Sequence, residues 1–249
     1  MFRRFIEANI AVSRAINKFL PAALTTDGNY WFQQNVLRKR FVPGEKVFDV
    51  GGGSRPWYAV EDKQRLRLRI VGIDISADEL KAAPEGSYDQ VVATDITTYI
   101  GDESGDRVIC QATLEHVADA AGAIRAIASL LKSGGEACIF APCRNALFAQ
   151  TNRVLPQEFK TRMLGAIYPY AAEGHDGFPA PYDRSAPSSI RALAEQSGLT
   201  VVEQGTFWVS GYFYFFVPAY CCWRIYQFAS WLIRGEDACE SFYFVLRKN

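Results

Sequence analysis

The sequence predicts an α/β fold, a largely parallel sheet of seven strands with helices on both faces, and three observations carry the prediction. Short apolar runs alternate with helical segments between residues 46 and 141. One of those runs, Val47 to Val50, passes straight into Gly51, Gly52 and Gly53, as a buried strand does when it ends in a turn without side chains. Aspartates then stand at successive strand ends: Asp49 before the glycines, Asp74 closing the next run and Asp95 just beyond the third. With 249 residues, 49% of them hydrophobic, a single domain over 1–249 is expected to bury its own core.

Taken in order, residues 2–20 put Phe2, Phe5, Ile6, Ile10, Ile16, Phe19 and Leu20 largely at helical spacing, an amphipathic helix that Pro21 stops. A second helical piece runs from Tyr30 to Arg40, and Pro43-Gly44 delivers the chain into the first strand. These N-terminal helices, within 1–42, are expected to cap the core; lying on a membrane is the alternative use of a basic amphipathic helix. After the glycines, Pro56 suits the first turn of a helix. Leu68 to Ile75, Tyr88 to Val92 and Arg107 to Cys110 give the second, third and fourth strands. The alanine-rich helix Ala120 to Leu131 is closed by Lys132-Ser-Gly-Gly, and Glu136 to Ala141 is the fifth strand.

From Pro142 to Arg184 prolines and glycines break the pattern into a loop-rich insertion, 142–184, of a length that usually serves function. Ser185 to Gly198 reads as a helix with Gly198 at its end, Leu199 to Trp208 as the sixth strand, and Glu240 to Arg247 as the seventh. Between the last two lies the most apolar stretch, 209–235. Gly211 and Pro218 interrupt it, and the seventh strand must return to the sheet, so a membrane crossing is not expected. It is expected to be helical, packed beside the mouth of the site, with at most a peripheral, reversible membrane contact at the inner face.

Charge and cysteines bound the partners and the compartment. Lys+Arg and Asp+Glu both total 27, which gives no reason to expect nucleic acid. The six cysteines form no CxxC pair and there are two histidines, so no metal site is expected and reduced thiols in a cytoplasm fit best. Glu7, Asn9, Arg14 and Lys18 interrupt any signal-like apolar core, so no secretion signal is expected.

The glycines permit a ligand to touch the backbone, and the carboxylates suggest what it is. Asp74 is placed to accept from the vicinal hydroxyls of a ribose, Asp95 from an exocyclic amine with Ile96 as an apolar wall, and Asp49 to face an amino-bearing group. Any one of them could instead cap a helix or close a turn. As a set, these residues resemble the class I S-adenosylmethionine-dependent methyltransferases. The resemblance rests on Asp49, Gly51 and Gly53, with Arg55 where that family has a third glycine, then Gly-Ile-Asp-Ile-Ser around Asp74 and Ala-Thr-Asp-Ile around Asp95. Asp106, Leu114-Glu115-His116-Val117 and Leu130-Leu-Lys-Ser-Gly-Gly extend it, over roughly Val47 to Ala141.

The resemblance implies a Rossmann-like sheet whose seventh strand is antiparallel and inserted beside the fifth and sixth. It implies S-adenosyl-L-methionine as cofactor, with Gly51 and Gly53 along the methionine part, Asp74 at the ribose, Asp95 and Ile96 at the adenine, Gln111 near the transferable methyl, and Asp49 and Ile75 also among the cofactor contacts. His175 and His116 are the candidate bases, although His116 sits in a motif whose commoner role is packing. Residues 148–156 and 177–184 also look like methyltransferases of bacterial glycan or lipid-linked products, which makes Arg153, Tyr182, Asp183 and Arg184 candidate substrate contacts. The expected acceptor is a small molecule, sugar or lipid-linked intermediate, methylated at oxygen. An NAD-dependent oxidoreductase is the weaker alternative, because Pro56 stands where G-x-G-x-x-G needs its last glycine. An inactive fold acting as a binding or scaffold protein is the other.

Overall fold

The computed structural model describes residues 2–155 and 180–249. Among them, strands β1 (Lys46–Val50), β2 (Arg69–Asp74), β3 (Gln90–Ala93), β4 (Gly105–Gln111), β5 (Leu131–Pro142), β6 (Leu199–Phe207) and β7 (Ser241–Lys248) form one sheet in the order β3-β2-β1-β4-β5-β7-β6. The pairings from β3 across to β5 are parallel, and β7 runs antiparallel between β5 and β6. Parallel neighbours need crossovers, which contain α4 (Val60–Leu66) between β1 and β2, α5 (Ala77–Lys81) between β2 and β3, and α6 (Ala120–Leu130) between β4 and β5.

Both faces are covered because strand side chains alternate. Phe48, Val50, Val108 and Cys110 enter one core with Ile124 and Ile127 of α6 and Ile190 and Leu193 of α8 (Pro187–Gln196). Val47, Ile109 and Cys138 point the other way, into a second core with Phe32, Val36 and Leu37. Those three belong to the helical run made of α2 (Gly28–Phe32), a π turn (Gln33–Leu37) and α3 (Arg38–Arg40). Asp106 ties the two central strands at their starts, its Oδ2 accepting from the Lys46 N–H at 2.7 Å.

Several boundaries differ from those the sequence suggests, three of them with a cause visible in the packing. Pro56 does not open a helix: α4 starts at Val60, because Trp57 stacks on Phe41 at 5.5 Å and packs on the second core, carrying the loop onward. Glu61 and Asp62 then favour a helix start by complementing the N-terminal dipole. The first helix, α1 (Phe2–Asn17), ends before Pro21, where the Asn17 side chain is engaged by Tyr214, Tyr220 and Arg224. Lys132 to Gly135 do not form a turn but extend β5 back to Leu131, since Gly135 lies against the Gly105 carbonyl, where a Cβ would come within 2.8 Å.

After β5 comes α7 (Leu147–Val154), and residues 156–179 lie outside the described part, His175 with them. The apolar stretch becomes a 3-10 turn, Gly211–Phe213, and α9 (Val217–Arg234), with Pro218 in its first turn. No helix among the described residues is long and apolar enough to cross a membrane. Helix α1 lies along α9, where Ser13 Oγ donates to the Tyr214 carbonyl and Asn9 Oδ1 accepts from the Val217 N–H.

Candidate active site

The site is built at the carboxyl end of β1. The Gly51 N–H donates to the Ile73 carbonyl at 2.7 Å, and Gly51 and Gly53 adopt left-handed φ values of +76° and +49°, which residues with a Cβ disfavour. A Cβ on Gly51 would overlap the Thr113 side chain, and one on Gly52 the Asp49 carboxylate. The bare turn therefore closes directly on both. Thr113 Oγ1 lies 3.1 Å from the Val50 carbonyl, which pins the loop after β4 to the end of β1.

Asp49 lies beneath Gly52, 3% exposed, rather than at an open surface, and burial pushes its carboxyl up to about 7. The Tyr88 hydroxyl is shared between Asp49 Oδ2 at 3.3 Å and the Gly53 carbonyl at 3.1 Å. It reaches them because its ring passes over Gly72 of β2, where a Cβ would come within 2.8 Å. Tyr88→Phe keeps the ring and removes the lock. It is expected to lower stability in urea titrations by about 1 to 2 kcal/mol, with Asp49 titrating higher because the hydrogen bond opposed the effect of burial. Unchanged stability would mean that the hydroxyl does not hold the turn.

The other carboxylates have divided roles. Asp74, half-buried, turns Oδ1 to the Ser76 N–H at 2.9 Å, while Oδ2 lies 3.3 Å from where a Cβ on Gly53 would stand. Burial raises its pKa and the Ser76 hydrogen bond lowers it. Register sets Asp74 beside Ala93, so the chain leaving β3 carries Asp95 next to it in the row of strand ends. Asp95 is exposed and caps the turn Ile96–Thr98, with Oδ1 accepting from the Thr97 N–H and hydroxyl, both at 2.8 Å. Ile96 is buried in the core, while Ile75 is 65% exposed beside Asp74. Gln111 ends β4, with its Nε2 donating to Asn29 Oδ1 at 2.5 Å and its Oε1 buried without a hydrogen bond to the described residues. That contact brings the start of α2 over the site.

Beyond β4 the turn Leu114–His116 holds a second group. Glu115 is 5% exposed, its carboxyl pushed up to about 8 by burial, with Oε2 unpartnered among the described residues and Oε1 3.9 Å from His116 Nε2. Tyr182, buried at φ +53°, donates its N–H to the Glu115 carbonyl and packs edge-on against Phe148, which in turn stacks on Tyr212 at 5.0 Å. Burial first, and then the Glu115 charge, raise the pKa values of Tyr182 and Tyr212. Arg153 and Arg184 are exposed, and Asp183 Oδ2 accepts from the Ala120 N–H at the start of α6. No group of three His, Cys, Asp or Glu side chains among the described residues could hold a metal ion.

Residues 48–139, which contain β1, the glycine turn, Asp74, Asp95, Gln111 and Glu115, match the methyltransferase domain family. Over this segment the chain is similar to a methyltransferase domain. The ubiquinone biosynthesis O-methyltransferase of Xanthomonas campestris pv. campestris (strain B100) is 33% identical over 134 residues, 51% of each chain. That of Ralstonia nicotianae is 34% identical over 161 residues, 60% of this chain and 66% of its own. The chain thus spans about half the length of the Xanthomonas relatives it matches.

In fold it is similar to an S-adenosylmethionine dependent methyltransferase of Mesorhizobium loti, with a TM-score of 0.57 at 16% identity, covering 87% of this chain and 98% of that one. The [4+2]-cyclase SpnF scores 0.56 at 16% identity, over 88% and 81%. A cyclase on the same fold means that architecture alone does not assign a reaction.

Sequence reasoning gave Tyr88, Thr113 and Tyr212 no part in the site, and gave Glu115 no role of its own within Leu114-Glu115-His116-Val117. Thr113 carried no local signal, since its partner is 63 positions away. Glu115 had one: a carboxylate between Leu114 and His116, in a turn whose apolar neighbours draw it inward.

Proposed function

We propose that the chain transfers a methyl group from S-adenosyl-L-methionine to a hydroxyl oxygen of a small-molecule acceptor. The observation that carries this is the glycine turn, bare of side chains, with Asp74 Oδ2 beside Gly53 and, at the next strand end, Gln111 Oε1 without a hydrogen-bond partner among the described residues. The cofactor supplies a methyl group activated on a sulfonium sulfur. The protein's share is alignment of the two reactants and removal of the acceptor's proton. Asp74 accepts from the ribose hydroxyls, Asp95 with Ile75 and Ile96 bounds the adenine, Gly51 and Gly53 admit the methionine part, and Gln111 Oε1 accepts a hydrogen bond that nothing else in the described protein offers.

On the acceptor side, Phe148, Tyr182 and Tyr212 make an aromatic wall beside Glu115 and His116. His116 Nε2 takes the hydroxyl proton, and the Glu115 carboxylate stabilises the imidazolium that results. The relatives' names favour oxygen as the target and a small molecule as the acceptor. A sugar or lipid-linked glycan is the narrower reading, for which the comparisons give no support.

Incubation with methyl-labelled cofactor and a catechol, with glycan and lipid extracts alongside, tests both readings. Label in a methyl ether of the acceptor supports transfer to oxygen, and the fraction that carries it identifies the acceptor class. Binding of S-adenosyl-L-homocysteine with no labelled product in any fraction would favour a non-catalytic binding protein. His116→Ala is expected to lower turnover about a hundredfold with cofactor affinity unchanged. Because Glu115 gains its charge only as pH rises through about 8, turnover should climb over that range. Glu115→Gln should flatten the climb; a climb that persists removes Glu115 from the mechanism.

A further inference from the structure

Helix α9 is turned inside out. Its inward side carries Arg224, Gln227 and Ser230 together with Tyr220 and Trp223, while Cys221, Ile225, Phe228 and Leu232, at helical spacing along one line, face outward. Ile225, Phe228 and Leu232 are 69%, 62% and 65% exposed. The polar side faces inward because the fold supplies its partners. Arg224 donates to the Trp208 carbonyl, Asn17 and the Leu24 carbonyl, and Gln227 donates to the Trp208 carbonyl and Glu240. Those bonds fix the rotation of the helix and leave the apolar line outside. A water-exposed helix face of this composition is a contact surface rather than scattered exposure.

The charges around it select the occupant. Helix α9 contains no acid, and the only acid of α1, Glu7, pairs with Arg3. Arg4, Arg14 and Lys18 on and just beyond α1 are exposed and make no ion pair among the described residues, and Arg234 ends α9. Phe5, 53% exposed, meets Phe216, 40% exposed just before α9, so an exposed aromatic pair joins the starts of α1 and α9. The two acids that follow α9, Glu236 and Asp237, are engaged by Arg191 and Ser188, and apolar side chains flanked by unpaired basic residues match the interface of an anionic bilayer. A docking protein would need no such sign bias.

The surface also lies at the site's end of the sheet. Helix α9 leads into β7, whose first residue pairs with Pro142 at the carboxyl end of β5, and Gln150 of α7 donates to the Tyr226 hydroxyl. We infer that α1 and α9 together dock the protein on the surface of a membrane containing anionic lipid, reversibly and without crossing it. The inference rests on these two helices alone and stands apart from the reading of the reaction.

Flotation of the full chain with vesicles tests it. The protein should float with vesicles of phosphatidylcholine and phosphatidylglycerol in equal parts, and stay behind with phosphatidylcholine alone. Raised salt should weaken the binding by screening the basic residues. The double variant Ile225→Glu, Leu232→Glu should lose flotation while keeping its circular dichroism and melting midpoint, since both side chains are exposed in the free protein. Arg14→Glu with Lys18→Glu should lower affinity for the mixed vesicles about tenfold or more. The inference is overturned if the wild-type chain ignores the mixed vesicles, or if the Ile225, Leu232 double variant floats as the wild type does. It is overturned as well if sedimentation finds a dimer that this variant splits and that binds no vesicles, which would make a second copy of the chain the occupant.

Discussion

Asp74→Ala is expected to weaken the binding of S-adenosyl-L-homocysteine by about a hundredfold to ten-thousandfold, the largest effect on ligand affinity expected of any single substitution in the site. A carboxylate accepting from two ribose hydroxyls makes two charge-assisted hydrogen bonds of about 1.5 to 3 kcal/mol each, and every 1.4 kcal/mol is a factor of about ten in the dissociation constant. The free protein should tolerate the change. Burial already works against the charge of Asp74, and Oδ1 contributes one hydrogen bond, from the Ser76 N–H, to set against that. Asp74→Asn, which keeps the shape and one acceptor, should fall between the alanine variant and the wild type. Calorimetry with the homocysteine product reads affinity directly. Wild-type affinity in the alanine variant would remove Asp74 from the cofactor site, and tight binding of NADH instead would remove the methyl-transfer reading with it.

The sheet was legible wherever one chemical pattern is continuous along the chain. Val47 to Val50 leads into glycines, so the strand and its turn declare themselves together, and of the runs that follow one ends in Asp74 and the next leads to Asp95 just beyond it. What joins the site is not local. Tyr88 holds Asp49 from 39 positions away and Thr113 holds Val50 from 63, and nothing in the neighbours of either residue announces it. The place of β7 between β5 and β6, antiparallel to both, is as the family resemblance implies, whereas its alternating pattern alone fits any position with one face to each core. Pro56 misled for a related reason: proline is compatible with a helix start but does not create one, and the distant stacking of Trp57 on Phe41 decided where the helix begins. Helix α9 is the clearest case. Its apolar residues look like a core face in the sequence, yet long-range partners for Arg224 and Gln227 turn the opposite side inward.

Trp223→Ala is the substitution expected to cost the most stability, and its cost should depend on pH. Trp223 is fully buried, stacked on Phe213 at 5.7 Å with the Arg224 guanidinium 4.2 Å above its ring, and its Nε1 donates to Glu240 Oε1 at 2.7 Å. Truncating a buried tryptophan costs about 3 to 5 kcal/mol through lost transfer energy and the cavity left behind. Loss of the donor adds about 1 to 3 kcal/mol when the acceptor is charged and buried. Together these approach the total stability of many domains, about 5 to 15 kcal/mol.

The second part is the one that titrates. Burial pushes Glu240 up to about 7 in the folded protein, against the pull of the Trp223 and Gln227 hydrogen bonds. An acid whose folded pKa lies above its unfolded value contributes stability that is full below the unfolded pKa and is lost as pH rises through the folded one. Without Trp223, which favoured the charged form, the folded pKa rises further, so ionising Glu240 costs the variant more than it costs the wild type. The deficit of Trp223→Ala should therefore be smallest near about pH 5, where Glu240 is neutral in both proteins, and grow towards about pH 8. Urea denaturation across that range measures it. In a Glu240→Gln background the deficit should be level with pH, because only the cavity remains; if it is already level in the native background, Trp223 and Glu240 are not coupled and packing alone accounts for the loss.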